Sequence, residues 1–280
     1  MRRSRHSRRY LRTITVTSGK GGVGKTNIVA NLAISLQRQG RKVMIFDADL
    51  GLCNMDVLLG LSPRYNIQHV INGDKRLKDI VVKGPAGVLI VPASSGIEEL
   101  TNLNEIQKLR LLEEFESLPG RIDYILIDTG AGISTNVTFF CLGAQEIIVV
   151  VTSEPTSLTD SYALIKILYT KYQEKNFKIL INNVSGESEA KEVFRRLQLV
   201  TERFLNLSID YLGFIPHDLS IQRAVKIQNP VLLRYPDSPS SRAFVDLAKR
   251  IDHTNDKKTV KGGLQFFFGN LLGAGENVGI

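Results

Sequence analysis

The stretch Gly19-Lys20-Gly21-Gly22-Val23-Gly24-Lys25-Thr26 narrows what this chain can fold into more than any other part of it. It matches G-x-x-x-x-G-K-[ST], a loop whose glycines let backbone N–H groups converge on phosphate oxygens without side chains in the way. The pattern has meaning only between a strand and a helix, and the flanking residues supply both. Thr13 to Ser18 is rich in β-branched residues and reads as a strand. Asn27 to Gln39 carries Ile28, Leu32 and Leu36 at helical spacing and stops at Gly40. The first turn of that helix adds free N–H groups and the positive end of its dipole. Gly19, Lys20, Gly21, Gly22, Val23, Gly24, Lys25 and Thr26 are therefore the expected nucleotide-phosphate contacts. Lys25 reaches the β- and γ-phosphates, and the Thr26 hydroxyl ligates Mg²⁺.

From residue 13 to about 252 short apolar segments alternate with helical patterns. The expected strands are 13–18, 42–47, 88–91, 122–127, 146–151, 177–182 and 210–215, and the longest helical stretches between them are 104–118, 156–173 and 188–205. Several strands are apolar throughout, as strands covered on both faces must be. This alternation predicts an α/β fold with one doubly wound, mostly parallel sheet. At 280 residues the chain suits a single large domain, and 43% hydrophobic with 23% charged residues is ordinary for a soluble one.

The formal net charge of +8 is unevenly placed. Residues 1–12 hold Arg2, Arg3, Arg5, Arg8, Arg9 and Arg12 and no acid, so removing those six leaves +2 for the remainder. They read as a flexible basic arm, open to three readings: a solvated tail, a contact to nucleic acid, or a contact to anionic lipid. No apolar run follows the arginines as a secretory signal requires, and no stretch is long and apolar enough to span a bilayer. Cys53 and Cys141 form no metal-ligand pattern and fit a reducing compartment.

Residues 253–263 are polar and read as a linker. After it, Leu264, Phe267, Phe268, Leu271 and Leu272 share one helical face within residues 264–273, preceded by Lys257, Lys258 and Lys261. Five such side chains, each worth roughly 1.5–3 kcal/mol when fully buried, give several kcal/mol of attachment to a lipid surface when partly sunk. That makes one copy a weak, reversible membrane anchor and two copies on a dimer a good one. The same face could instead dock on the protein's own surface.

Two further motifs carry chemistry. Asp47-Ala48-Asp49 ends the second strand, where ligands gather in open α/β sheets, and continues to Gly51, Asn54 and Asp56. Two carboxylates beside a triphosphate make sense with Mg²⁺ or a water to bind. Asp128, followed by Thr129-Gly130-Ala131-Gly132, ends the apolar strand Tyr124-Ile125-Leu126-Ile127 and is placed to reach Mg²⁺ through water. Asn182 ends the strand Phe177 to Ile181 and offers an amide able to donate and accept together, although an asparagine there also suits a turn.

Lys20, D-x-D-x-G at residues 47–51, the N-x-D at Asn54 to Asp56 and D-x-x-A-G at Asp128 to Gly132 together resemble the MinD/ParA class of deviant P-loop ATPases. The tract from Glu154 to Lys166, with Val57-Leu58-Leu59-Gly60-Leu61 and the run from Gly84 to Pro92, is similar to one branch, the MinD-like flagellar-number regulators (FlhG, FleN, YlxH). The resemblance spans residues 13–252. It implies a slow, Mg²⁺-dependent ATPase that forms a homodimer with ATP, Lys20 of each copy crossing to the other's phosphates. It implies that Asp49 positions the attacking water, that Asp47 and Asp128 support the Mg²⁺ shell, and that Asn182 and Pro216 contact adenine. It implies a cytoplasmic protein, peripheral on the inner face of the membrane, whose partners are flagellar transcription activators or the FlhF-type GTPase. The D-Q-A-x-x-L-R motif that engages that GTPase has no counterpart in residues 1–12. Septum placement and DNA partition are the alternative outputs of the same class, and a ligase on the same fold is a more distant one. An electron-donating iron protein is disfavoured because its paired cysteine ligands are missing.

Overall fold

A computed structural model describes residues 11–49, 54–92, 105–118 and 122–253. In chain order the elements are β1 (Arg12–Ser18), α1 (Lys25–Arg38), β2 (Val43–Ala48), α2 (Asn54–Leu59), α3 (Ile67–Ile71), α4 (Leu77–Ile80), β3 (Val82–Lys83), β4 (Leu89–Val91), α5 (Glu105–Glu116), β5 (Tyr124–Ala131), α6 (Thr135–Gly143), β6 (Glu146–Val151), α7 (Pro155–Tyr172), β7 (Phe177–Val184), α8 (Glu187–Leu205), β8 (Asp210–Pro216), α9 (Leu219–Lys226), α10 (Val231–Arg234) and α11 (Pro239–His253).

The described strands form one sheet in the order β3-β4-β2-β5-β1-β6-β7-β8. All neighbouring strands run parallel except β3, which pairs antiparallel with β4 at the edge. The mostly parallel, doubly wound α/β sheet predicted above is thus present, and each expected strand has a counterpart within a few residues. The two-residue β3 is an addition to that expectation, because nothing so short carries a period.

Both faces of the sheet are covered, and alternate residues serve opposite faces. Val43, Ile45, Tyr124, Leu126, Ile148, Val150 and Leu180 pack with α1, α2, α10 and α11 in one apolar layer. Met44, Phe46, Ile125 and Ile127 face α3, α4 and α6, while Ile147, Val149, Ile179 and Ile181 face α6, α7 and α8. This is why the strands read as unbroken apolar runs: each position is buried, whichever way it points. α6 is apolar on nearly every side and buried, so it shows no amphipathic period from which to predict a helix.

Chain direction places the site. β1 feeds α1 on one face of the sheet, and its neighbour β5 feeds α6 on the other. Where adjacent strands send their connections to opposite faces, a crevice opens at their carboxyl ends. The glycine loop after β1 and Asp128 in β5 both lie at that crevice.

The opposite end of the sheet closes the domain. β1 starts at Arg12, one residue earlier than expected, and Arg12 belongs to the fold and not to the preceding arm. Its guanidinium donates to Glu146 Oε1 at 2.8 and 2.5 Å, to the Ile251 carbonyl of α11 at 2.5 Å and to Tyr124 Oη at 3.2 Å. Tyr124 Oη in turn donates to Asp252 at 2.9 Å, and Asp252 receives both arms of Arg41 at 2.7 and 2.5 Å. The expected amphipathic segment with Leu264, Phe267, Phe268, Leu271 and Leu272, the linker from 254, and arginines 2 to 9 lie outside the described residues. No helix of the described residues is long and apolar enough to cross a membrane.

Candidate functional site: a phosphate cradle beside buried carboxylates

The loop from Gly19 to Gly24 is shaped by backbone requirements that its glycines meet. Gly22 and Gly24 have φ of 76° and 93°, in the left-handed region that costs other residues. A Cβ on Gly19 would lie 2.1 Å from the Asp160 carbonyl carbon and 2.4 Å from Ser161 N, so α7 passes directly against the start of the loop. Space around Gly21 and Gly22 is open, with no atom within 4 Å of where a Cβ would stand on either. The outer loop therefore has room to receive a ligand while its first residue is clamped. Gly24 caps α1 with no side-chain hydrogen bond, and the first turn of α1 contains no acid. Its N–H groups and dipole are left for an anion.

Lys25 is the first residue of α1, and its side chain turns back under the loop. Its Nζ donates to Ser18 Oγ at 3.0 Å, and the Ser18 hydroxyl donates to the Lys20 carbonyl at 2.7 Å. The ammonium is buried, and loss of water lowers its pKa; the carboxylates of Asp128 and Asp49 oppose that shift, which places both near it. Ser18 is a contact that sequence reasoning missed. Its one signal is its position, the last strand residue before the loop.

Asp47 and Asp128 occupy paired register positions on β2 and β5, and both are about 1% exposed. Asp47 Oδ1 accepts from Asp49 N at 3.3 Å, while Asp47 Oδ2 and both oxygens of Asp128 are buried without a hydrogen-bond partner of full geometry. Burial pushes Asp128 up to about 7, with the Thr26 hydroxyl and the Lys25 charge pulling it back. Burial, then the neighbouring Asp128 charge, pushes Asp47 up to about 8. Buried carboxylate oxygens left unpaired are costly unless a cation or a bound water completes them. Asp49 is half-buried, and its Oδ1 lies 3.5 Å from where a Cβ on Gly130 would sit, so its carboxylate rests over the loop after β5.

These residues fit Mg²⁺. Among the described residues no group of three or more His, Cys, Asp or Glu could hold a metal alone. Mg²⁺ does not need one: it keeps several waters and takes one or two carboxylates plus phosphate oxygens. Thr26, Asp47 and Asp128 are the side chains that would hold it, directly or through water.

Asn182 reaches across from β7. Its Nδ2 donates to the Val23 carbonyl at 2.7 Å and would sit 2.7 Å from a Cβ on Gly24. The side chain therefore braces the glycine loop and forms no local turn of its own. Asn183, at φ 62°, turns the other way, its Oδ1 lying 2.7 Å from His217 Nδ1. Pro216 ends β8 opposite Val184. Asp218 caps α9 through Ser220 N at 2.8 Å and also accepts from Ser240 N and Oγ at the start of α11, at 3.1 and 2.6 Å.

Lys20 stands apart from Lys25. Its amine lies on the exposed rim, donating to Thr156 Oγ1 at 2.8 Å and forming an ion pair with Glu154. Glu154 and Thr156 belong to the tract that resembles one family branch, but their pairing with Lys20 depends on α7 packing against Gly19.

The cradle, the buried lysine and the two carboxylates are the parts of a nucleoside-triphosphate site. A family profile described as "ParA: NUBPL iron-transfer P-loop NTPase" matches residues 9–252. The antiactivator FleN of Pseudomonas aeruginosa is 42% identical over 262 residues, covering 94% of each chain. The flagellum site-determining protein YlxH of Helicobacter pylori is 34% identical over 263 residues, covering 92% of this chain and 89% of its own. Among solved structures, the septum site-determining protein MinD of Pyrococcus horikoshii, complexed with Mg-ADP, superposes with a TM-score of 0.70 at 28% identity, covering 89% of this chain and 99% of that one. This chain belongs to the ParA family of P-loop NTPases, as an ATPase that takes ATP and Mg²⁺ and that resembles FleN and YlxH over nearly its whole length.

Proposed function

We propose that this ATPase is a two-state switch that regulates flagellar number or placement, closing into a homodimer with ATP and attaching reversibly to the membrane in that state. The observation that carries the reading is the division of labour between the two loop lysines. Lys25 is buried among Ser18, Asp128 and Asp49, in contact with the phosphate cradle of its own chain. Lys20 is on the rim, its amine tied to Glu154 and Thr156 at the start of α7. A lysine placed there serves phosphates best when they belong to a second copy facing the first.

Within the closed site each side chain has a task. The α1 N-terminus and the loop N–H groups bind the phosphates, and Lys25 stabilises the charge that builds on the transferred phosphoryl group. Thr26, Asp47 and Asp128 would hold Mg²⁺, which would supply further positive charge to the phosphates. Asp49 holds a water in line for attack on the γ-phosphorus, and Asn182 fixes the loop that carries the phosphates while reaching toward the base beside Pro216. Loss of the γ-phosphate removes what the Lys20 of a second copy holds, and the dimer opens. The link to flagella is supported by FleN, named an antiactivator, and YlxH, named a flagellum site-determining protein.

The test is the Lys25→Ala substitution in the chromosomal gene, with flagella counted per cell by electron microscopy and cell length and DNA content scored alongside. An altered flagellar count with normal division is expected. Normal flagella with minicells would move the output to septum placement, and anucleate cells would move it to DNA partition.

A further inference from the structure

The triphosphate chain has a direction in this site. Asp47, Asp49 and Asp128, the carboxylates suited to Mg²⁺ and the attacking water, lie on the β2 and β5 side of the glycine loop. The γ-phosphate belongs on that side. The nucleoside, at the other end of the chain, then extends past the start of α1 toward β6, β7 and β8. The hydrogen bond from Asn182 Nδ2 to the Val23 carbonyl shows that the carboxyl end of β7 adjoins the loop there. Most polar side chains at these strand ends are already engaged. Asn182 has its amide nitrogen on Val23, Ser185 donates to Glu189, and Asp218 accepts from Ser220 and Ser240. His217 keeps one ring nitrogen for a ligand.

The backbone holds that ring in place. Register between β7 and β8 slips between Asn182, opposite Ile215, and Val184, opposite Pro216, so Asn183 is an extra residue in its strand. It takes φ 62°, in the left-handed region that is costly for a residue with a Cβ and that asparagine tolerates better than most. An inserted strand residue re-aims side chains, often beside a functional site. Here Asn183 Oδ1 lies 2.7 Å from His217 Nδ1. His217 N donates to the Val184 carbonyl at 2.8 Å, and the next residue, Asp218, is tied to both α9 and α11. The histidine is exposed, yet its backbone and one edge of its ring are fixed.

The same hydrogen bond sets the chemistry of the other edge. A carbonyl oxygen only accepts, so Nδ1 carries the proton, and in the neutral imidazole Nε2 is then an acceptor. Among the described residues none bonds to Nε2. Adenine presents a donor at its 6-amino group. Guanine and hypoxanthine present an acceptor, the 6-oxo group, at the same position.

We propose that His217, set by Asn183, is a specificity-determining residue whose Nε2 accepts a hydrogen bond from the 6-amino group of adenine and so disfavours 6-oxopurines. The proposal deepens the nucleotide site and rests on the reading that the base lies beside Pro216. Asn183 is a positioning residue, acting through the ring it holds.

The test is titration calorimetry of the full chain with Mg²⁺, using ATP and inosine triphosphate, which carries the 6-oxo group in place of the 6-amino group. The parent is compared with His217→Phe and with Asn183→Gly. Phenylalanine keeps a ring without a nitrogen, and glycine removes Oδ1 while suiting the positive φ. One neutral hydrogen bond changes affinity by about three- to tenfold, and two opposed acceptors widen the difference, so the parent should prefer ATP by about tenfold or more. In both variants the preference should fall to about threefold or less through weaker ATP binding, with inosine triphosphate bound at least as well as by the parent. A parent that binds the two alike, variants that keep the parent's preference, or variants that lose both nucleotides equally would overturn the assignment. Photolabelling of the parent with 8-azido-ATP checks the base position separately. Label is expected in the tryptic peptides 179–191 or 204–223. Label confined elsewhere would refute the placement beside Pro216, whereas label in those peptides with parent-like preference in the variants would keep the placement and remove His217 from base recognition.

Discussion

Replacing Asp128 with asparagine removes a buried charge and keeps the side chain's shape, so it separates the cost of the site from its use. In the structure both Asp128 oxygens are buried without a full hydrogen bond, and the carboxyl is pushed up to about 7 from 3.8. A group whose folded pKa lies above its unfolded value destabilises the fold as pH rises between the two. Below about pH 4 Asp128 carries its proton in both states and costs nothing. Between about pH 4 and pH 7 the unfolded chain has released the proton and the folded chain retains it, so stability falls; above about pH 7 the penalty is constant. A shift of about three units, already net of the attraction to Lys25, corresponds to roughly 4 kcal/mol, and the cost of burying the replacing amide without partners brings the expected gain to ~2–4 kcal/mol. For a domain of this size that is a rise in melting temperature of roughly 5–12 °C. Thermal unfolding without nucleotide, in buffers from pH 5 to pH 8.5, measures it. The Asp128→Asn protein should be the more stable at pH 8, with the advantage shrinking toward pH 5. Mg-ADP should stabilise the parent strongly and the variant little, because only the parent has the carboxylate that the cation completes. A variant no more stable than the parent at pH 8, or an advantage independent of pH, would refute the claim that Asp128 is a desolvated charge awaiting a cation.

Asp49→Ala should retain ATP binding and lose turnover, leaving a dimer that persists; light scattering with a phosphate-release assay measures both, and parent-like turnover would remove Asp49 from the chemistry. Gly19→Ala places a methyl group 2.1 Å from the Asp160 carbonyl carbon. Either the loop or α7 must shift, at a cost on the order of 1–3 kcal/mol, and ATP affinity should fall with it. Unchanged affinity by titration calorimetry would show that the loop tolerates displacement at its first residue.

Much of the fold was legible before any coordinates because its strands are buried on both faces. Residues 147–151 are apolar without interruption, and residues 177–181 are broken only by Lys178; strands between amphipathic helices read this way when both faces are covered. Several of the elements that add to the expected set lack a period to read. β3 is two residues long, α3 and α4 are single turns, and α6 is apolar all round. α11 is different: Phe244, Leu247, Ala248 and Ile251 have helical spacing, so this helix was readable from the sequence.

The chemical identity of the site was determined by the sequence alone. The loop residues act through backbone N–H groups or through a lysine whose role follows from covalent spacing, and a carboxylate at the end of a strand needs no more than its own element to be placed there. Relations between elements were decided by tertiary structure. That Asp47 and Asp128 share a register position, that Asn182 braces Val23, that Lys20 meets Glu154, and that Arg12 holds the end of α11 each depend on strand order across long stretches of chain. Strand order is set by which helices cover which face. No local pattern encodes that choice, since it comes from the total burial of the whole sheet. The burial of the two carboxylates is likewise a tertiary outcome: local preference alone would solvate them, and the covering of both faces of the sheet at β2 and β5 keeps water out.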